Sequence, residues 1–264
     1  MHKLRAMFLP RLRSARWAAF VLVSALAGPA AALAPDAPTL DAASADASQL
    51  RQHIYAMEQA YTSVQDYTAT FYKQERVKGR LLPAETMQFK FRKPFGVYLR
   101  WTGSLEGREA LYVRDWNEDK IRAHQGSFPD MTVNLRPDAS LAMRGNRHPI
   151  TQLGFGEIIK LMVRDARLSE VRPQDGVQYI DHGESTVHGA RSRCLEAVTP
   201  PRNYSPYYAT RAKICFNVKT RMPTRITVWN DEDVMIEDYG FEDVHLNVGL
   251  TDADFDPANP AYNF

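Results

Sequence analysis

Cysteine is nearly absent from the chain: of 264 residues, only Cys194 and Cys215 carry a thiol. With no histidine close to either, the pair is a poor set of zinc ligands. Long apolar runs are missing too. The longest candidate, from Trp17 to about Ala27, is short for a stable membrane anchor. The chain has no G-x-S-x-G nucleophile elbow, no H-E-x-x-H zinc helix and no Walker or Rossmann glycine loop. Nothing at motif level therefore points to an enzyme, a metal or a cofactor, and none of the three is expected. No internal repeat is visible, and no second linker interrupts the chain.

What the amino terminus does have is a basic start followed by apolar and then small residues. Lys3, Arg5, Arg11, Arg13 and Arg16 precede the apolar run without a single acid, and Gly28 to Ala34 are small or proline apart from Leu33. This is the order of an export signal, and Ala30 and Ala32 satisfy the small-x-small rule for a cut after Ala32. No cysteine lies near the cut, which excludes a lipid-anchored lipoprotein. Taking five cations from a net charge of +2 leaves the mature chain near −3. A mildly acidic protein has no electrostatic reason to bind nucleic acid or an anionic membrane surface. The expected organisation is a signal peptide over 1–32, a disordered Ala-, Asp- and Pro-rich lead-in over 33–48 and one domain over 49–264, placed in the periplasm. No integral membrane segment is expected once the signal is gone.

The two cysteines are informative by position. Residues 193–198 and 208–218 read as strands, and Thr199 to Pro206 form a proline-rich connection that cannot continue a ladder. The midpoint of Cys194 and Cys215 falls inside that connection, so an antiparallel hairpin sets them opposite each other. A disulfide follows in an oxidising compartment, stabilising by roughly 3 kcal/mol.

Helical spacing comes first along the domain. Leu50, Ile54, Met57, Tyr61 and Val64 lie four and three residues apart, which predicts an amphipathic helix over 48–63. Strand periodicity then takes over, with Met87, Phe89 and Phe91 alternating with polar residues and Val97, Leu99 and Trp101 repeating the pattern. A second helix is predicted over 151–166. Strands are predicted over 107–114, 120–124, 177–187, 193–198, 208–218, 224–230, 234–239 and 244–247. So many strands with two helices and almost no parallel-crossover spacing predict an antiparallel α+β domain. A strongly curved sheet wrapping the helices gives each element a buried face.

Phe71, Gln74 and Gly79, the run Phe91-Arg92-Lys93-Pro94-Phe95 and the strand Tyr98-Leu99-Arg100-Trp101 resemble the N-terminal half of the LolA/LolB-like superfamily. The ending from Asp254 to Phe264 is similar to the tail of an exported branch of it. The resemblance implies an unclosed antiparallel barrel whose helices form a lid over an apolar cavity. It also implies a periplasmic carrier of lipids or lipoprotein acyl chains. An envelope protein-interaction or stress-sensing module on the same scaffold, with a protein partner, is the alternative.

The candidate cavity lining is Phe71, Met87, Phe89, Phe91, Leu99, Trp101, Ile158 and Met162, with Val97, Leu111 and Val113 on neighbouring strands. The same stripes equally describe a packed core. Arg100 has the opposite parity and is expected at the surface, the rim or a lid contact. His182 and His188 share a strand with Asp181 and Glu184 but lack a third ligand, and His53, His124, His148 and His245 are scattered. Asp252, Asp254 and Asp256 begin like a calcium loop, but Pro257 stands where that loop needs glycine, so they read as a solvated turn, as do Asp231 to Asp233.

Overall fold

A computed structural model of the chain describes residues 40–200 and 206–264; the expected export signal and the first residues of the lead-in lie outside them. The 3–4 spacing of Leu50, Ile54 and Met57 gives the first helix, α1 (Leu40–Thr62), its buried stripe. It begins well before residue 48 because Leu40 to Ser48 is alanine-rich and carries helix propensity despite its lack of large apolar groups.

Seven strands follow: β1 (Asp66–Val77), β2 (Arg80–Leu81), β3 (Glu85–Arg92), β4 (Gly96–Thr102), β5 (Glu109–Val113), β6 (Ile121–His124) and β7 (Thr132–Leu135). After α2 (Phe155–Val171) come β8 (Gln178–Val187), β9 (Ala190–Val198), β10 (Arg211–Asn217), β11 (Pro223–Trp229) and β12 (Met235–Leu246). They form a single antiparallel sheet in the order β7-β6-β5-β4-β3-β1-β12-β11-β10-β9-β8, with β2 paired to β1 alone. β7 and β8 are its free edges, so the sheet is unclosed, and the domain is the expected α+β arrangement. The two stretches expected at 234–239 and 244–247 are one strand, β12, irregular where it passes β1 between Thr68 and Thr70.

Register turns the period-two patterns into rows. Met87 pairs with Trp101, Phe89 with Leu99 and Phe91 with Val97. On the other side of β3, Tyr67 pairs with Phe91 and Phe71 with Met87. These rows face the helices, and α1 and α2 bury Leu50, Ile54, Met57, Phe155, Ile159 and Val163 against them. Tyr67 anchors the second helix. Its ring stacks on Phe155 at 4.2 Å, and its hydroxyl accepts the Phe155 backbone N–H at 2.9 Å, satisfying a donor the helix start leaves free. Gly154 makes this contact feasible: φ is +101°, and a Cβ there would stand 2.9 Å from the Tyr67 hydroxyl. Hence α2 starts at Phe155, after a short 3₁₀ turn at Ile150–Gln152, rather than at 151.

Cys194 and Cys215 occupy paired positions on β9 and β10 and are joined as a disulfide. The last residues fold back as a strap over the outer face of β4 and β5, where Phe255, Tyr262 and Phe264 cover Tyr98 and Leu111. Tyr98 stacks on Tyr262 at 4.0 Å. The acids expected as a solvated turn serve this strap in part: Asp254 pairs with Lys90 at 2.8 Å and Asp252 with Arg92 at 2.6 Å. Among the described residues no helix is long and apolar enough to cross a membrane.

Candidate functional site

Strand β1 presents Tyr67, Ala69, Phe71, Lys73 and Glu75 on one face, all buried. The row changes from aromatic to ionic along its length. Beside that change, between the inner faces of β1 and β3–β7 and the segment 141–153 that leads into α2, lies a cavity of about 370 Å³. Phe71, Met87, Leu99, Ala110, Ile121 and Ile150 are among its apolar walls, and Lys73, Glu75, Asn146 and His148 are polar ones.

The polar wall is a bonded network tying the 141–153 segment to the sheet. Lys73 Nζ donates to Asn146 Oδ1 at 2.5 Å and stands 3.8 Å from Glu75 and 3.6 Å from Glu85. Glu75 accepts the Arg147 backbone N–H at 2.9 Å and the Tyr239 hydroxyl. Glu237 on β12 accepts Arg147 Nε at 2.6 Å, Tyr208 Oη at 2.6 Å and His148 Nε2 at 3.1 Å. Burial opposes the charge on Glu237, yet the hydrogen bonds and charge around it, His148 foremost, hold its carboxyl below the usual range. Burial likewise opposes protonation of His148, but Glu237, helped by Gln152 and Glu75, outweighs it and raises the imidazole above the usual histidine value. Tyr208 and Tyr239 are pushed up, chiefly by burial and then by the neighbouring carboxylates, so both phenols stay protonated donors. Each buried charge in the network has an opposite partner, which is the condition for holding ions in a low-dielectric interior.

Of the residues singled out in the sequence, Phe71, Met87, Leu99 and Trp101 line the cavity. Phe89 and Phe91 instead pack on Tyr67, at ring separations of 5.6 and 5.2 Å. Met162 borders a separate hollow of about 40 Å³, and Ile158 is half-buried between the two cores of the inner face. Arg100 makes no lid contact: on the outer face, it donates to Glu109 Oε1 at 3.0 and 2.7 Å and to the Ala261 carbonyl of the strap. Leu111 also faces the strap, and Ala110, not singled out in the sequence, stands in the cavity wall where Leu111 was expected. The strap makes both faces of β4 and β5 apolar, which removes the parity signal that assigns Leu111 to one side. Lys73 and Glu75 were missed although they continue the Phe71 alternation, because charged residues do not register as an inner face. Segment 141–153 has no periodicity to mark it. His182 bonds Glu196 at 2.8 Å while His188 stacks on Tyr72 at 4.9 Å, and the described residues hold no group of three or more His, Cys, Asp or Glu suited to a metal.

Residues 64–264 match a family model described as Protein of unknown function (DUF1571). The chain belongs to that family. Among the curated proteins, none matches the sequence. The lipoprotein LppX of Mycobacterium tuberculosis is a similar solved structure: 12% identity over 77% of this chain and 98% of that one, with a TM-score of 0.46. A LolA superfamily protein of Nitrosomonas europaea is 9% identical over 78% and 96%, with a TM-score of 0.36. The MucA/MucB complex of Pseudomonas aeruginosa gives 13% identity over 80% of this chain and 60% of that one, at a TM-score of 0.42. Similarity this low transfers neither a site nor a ligand to a DUF1571 chain.

Proposed function

We propose that this chain is a periplasmic carrier that binds lipids or the acyl chains of lipoproteins in its inner-face cavity. One observation carries the reading: about 370 Å³ of space walled by Phe71, Met87, Leu99, Ile121 and Ile150. A packed core leaves few voids larger than a water molecule, whereas this volume falls within the range of about 300–1,000 Å³ usual for ligand sites. Each methylene entering it gains up to about 0.8 kcal/mol from leaving water.

Leu99→Trp is the test. Leu99 is buried, lines the cavity and sits opposite Phe89 and Ala110 on the neighbouring strands. In free space the indole fills the cavity, so affinity for a fluorescent fatty-acyl probe falls while the thermal midpoint stays near wild type. In a filled core the same change overpacks and destabilises by about 1–3 kcal/mol. A wild type that binds no acyl probe, together with a variant that unfolds early, would leave the envelope-interaction alternative in place of the carrier.

A further inference from the structure

The charged groups lining the cavity are matched one by one, with two exceptions. Lys73 and Glu75 belong to the ionic network, Glu109 is held by Arg100, His148 by Glu237, and His124 Nε2 stands 3.4 Å from Asp130. Arg108 and Arg144 also line the cavity, and neither has an acidic partner among the described residues. Arg108 is half-buried with its guanidinium 5.7 Å from the Trp101 ring centre, a contact that leaves its N–H donors free. Arg144 is exposed, as are Met131 and Leu141 on the same lining, so these residues mark the side of the cavity that opens to water.

We infer that the cavity takes a single-chain amphiphile with an anionic head, its tail against Phe71, Met87, Leu99 and Ile150 and its carboxylate or phosphate between Arg108 and Arg144. The inference rests on the carrier reading above and deepens it by naming the ligand class. A cavity of about 370 Å³ lies at the small end of the roughly 300–1,000 Å³ usual for ligand sites, which suits a single tail. A planar guanidinium meets a carboxylate or phosphate with two parallel N–H donors, and an open rim spares the anion full desolvation. Arg108 precedes β5 on the sheet, whereas Arg144 belongs to the segment between β7 and α2. A head bound to both therefore ties that segment to the sheet, and occupancy favours closure.

The test is displacement of N-phenyl-1-naphthylamine, a neutral apolar dye, by dodecanoate, dodecyl phosphate and methyl dodecanoate. It uses wild type, Arg108→Gln, Arg144→Gln and the double variant, with thermal midpoints checked against wild type. The expected result is that both anions displace dye at least tenfold better than the ester, which has the same tail. The double variant loses this preference, so that anions and ester compete equally within it. A phosphate that competes better than dodecanoate indicates a phospholipid-type head, and the reverse a free fatty acid; both support the inference. Equal competition by anion and ester in wild type, or a preference that survives in the double variant, overturns the head-group inference and leaves an apolar carrier standing. If dye, ester and anions all fail to bind, the carrier reading falls with it.

Discussion

The imidazole of His148 stands between Gln152 Oε1 at 2.9 Å, Tyr208 Oη at 2.9 Å and Glu237 Oε1 at 3.1 Å, with the Arg147 guanidinium on the same carboxylate. Its folded-state value is raised from the ordinary 6.5, so its stabilising contribution is complete below that value and disappears as pH rises through the raised one. Glu237 has the opposite sign: depressed from 4.5, it contributes fully above that value and loses its contribution as pH falls through the depressed one. The clamp on segment 141–153 is thus strongest between about pH 4.5 and 6.5. Thermal midpoints measured across pH for wild type and His148→Gln check this. Wild type loses stability on the alkaline side of the window, and the variant loses less. An unchanged pH profile in the variant would show that His148 does not titrate with folding.

The strap formed by the last residues has a buried polar anchor besides the ion pairs of Asp252 and Asp254. Glu109 is fully buried and accepts Arg100 Nε and Nη2, the Asn263 backbone N–H at 3.2 Å and Asn263 Nδ2 at 2.9 Å. Glu109→Ala removes these bonds to a charged acceptor, and a cost of about 1.5–3 kcal/mol is expected. Faster hydrogen exchange should appear across 255–264 together with that loss, and exchange as slow as wild type would show that aromatic packing and the ion pairs of Asp252 and Asp254 hold the strap without Glu109. Legibility also divides by element. The disulfide, the rows on β3 and β4 and the antiparallel sheet were readable because each follows from local alternation and turn chemistry around named residues. The Arg100–Glu109–Asn263 anchor, the strap over Tyr98 and the network around Lys73 join residues far apart in sequence, and no local period encodes such meetings. For the same reason, half of the proposed lining came through alternation, whereas Phe89 and Phe91 look identical in sequence and are consumed by packing on Tyr67.

Across the whole molecule, the sheet, the helices and the 141–153 segment combine to leave space rather than fill it. The inner-face aromatics pack closely around Tyr67, and the volume opens where β1 turns from Phe71 to Lys73 and Glu75 and where β5 offers Ala110 instead of a large side chain. The apolar wall of such a hollow lacks contacts that packing would supply, a cost offset when a ligand occupies it. Native mass spectrometry of protein purified from cells without detergent, followed by extraction and re-addition of dodecanoate, addresses the carrier claim most directly. The predicted spectrum has the chain plus one small amphiphile, stripped by extraction, restored by dodecanoate at one per chain and absent from Leu99→Trp. A spectrum of bare chain that stays bare when dodecanoate is added would contradict the account.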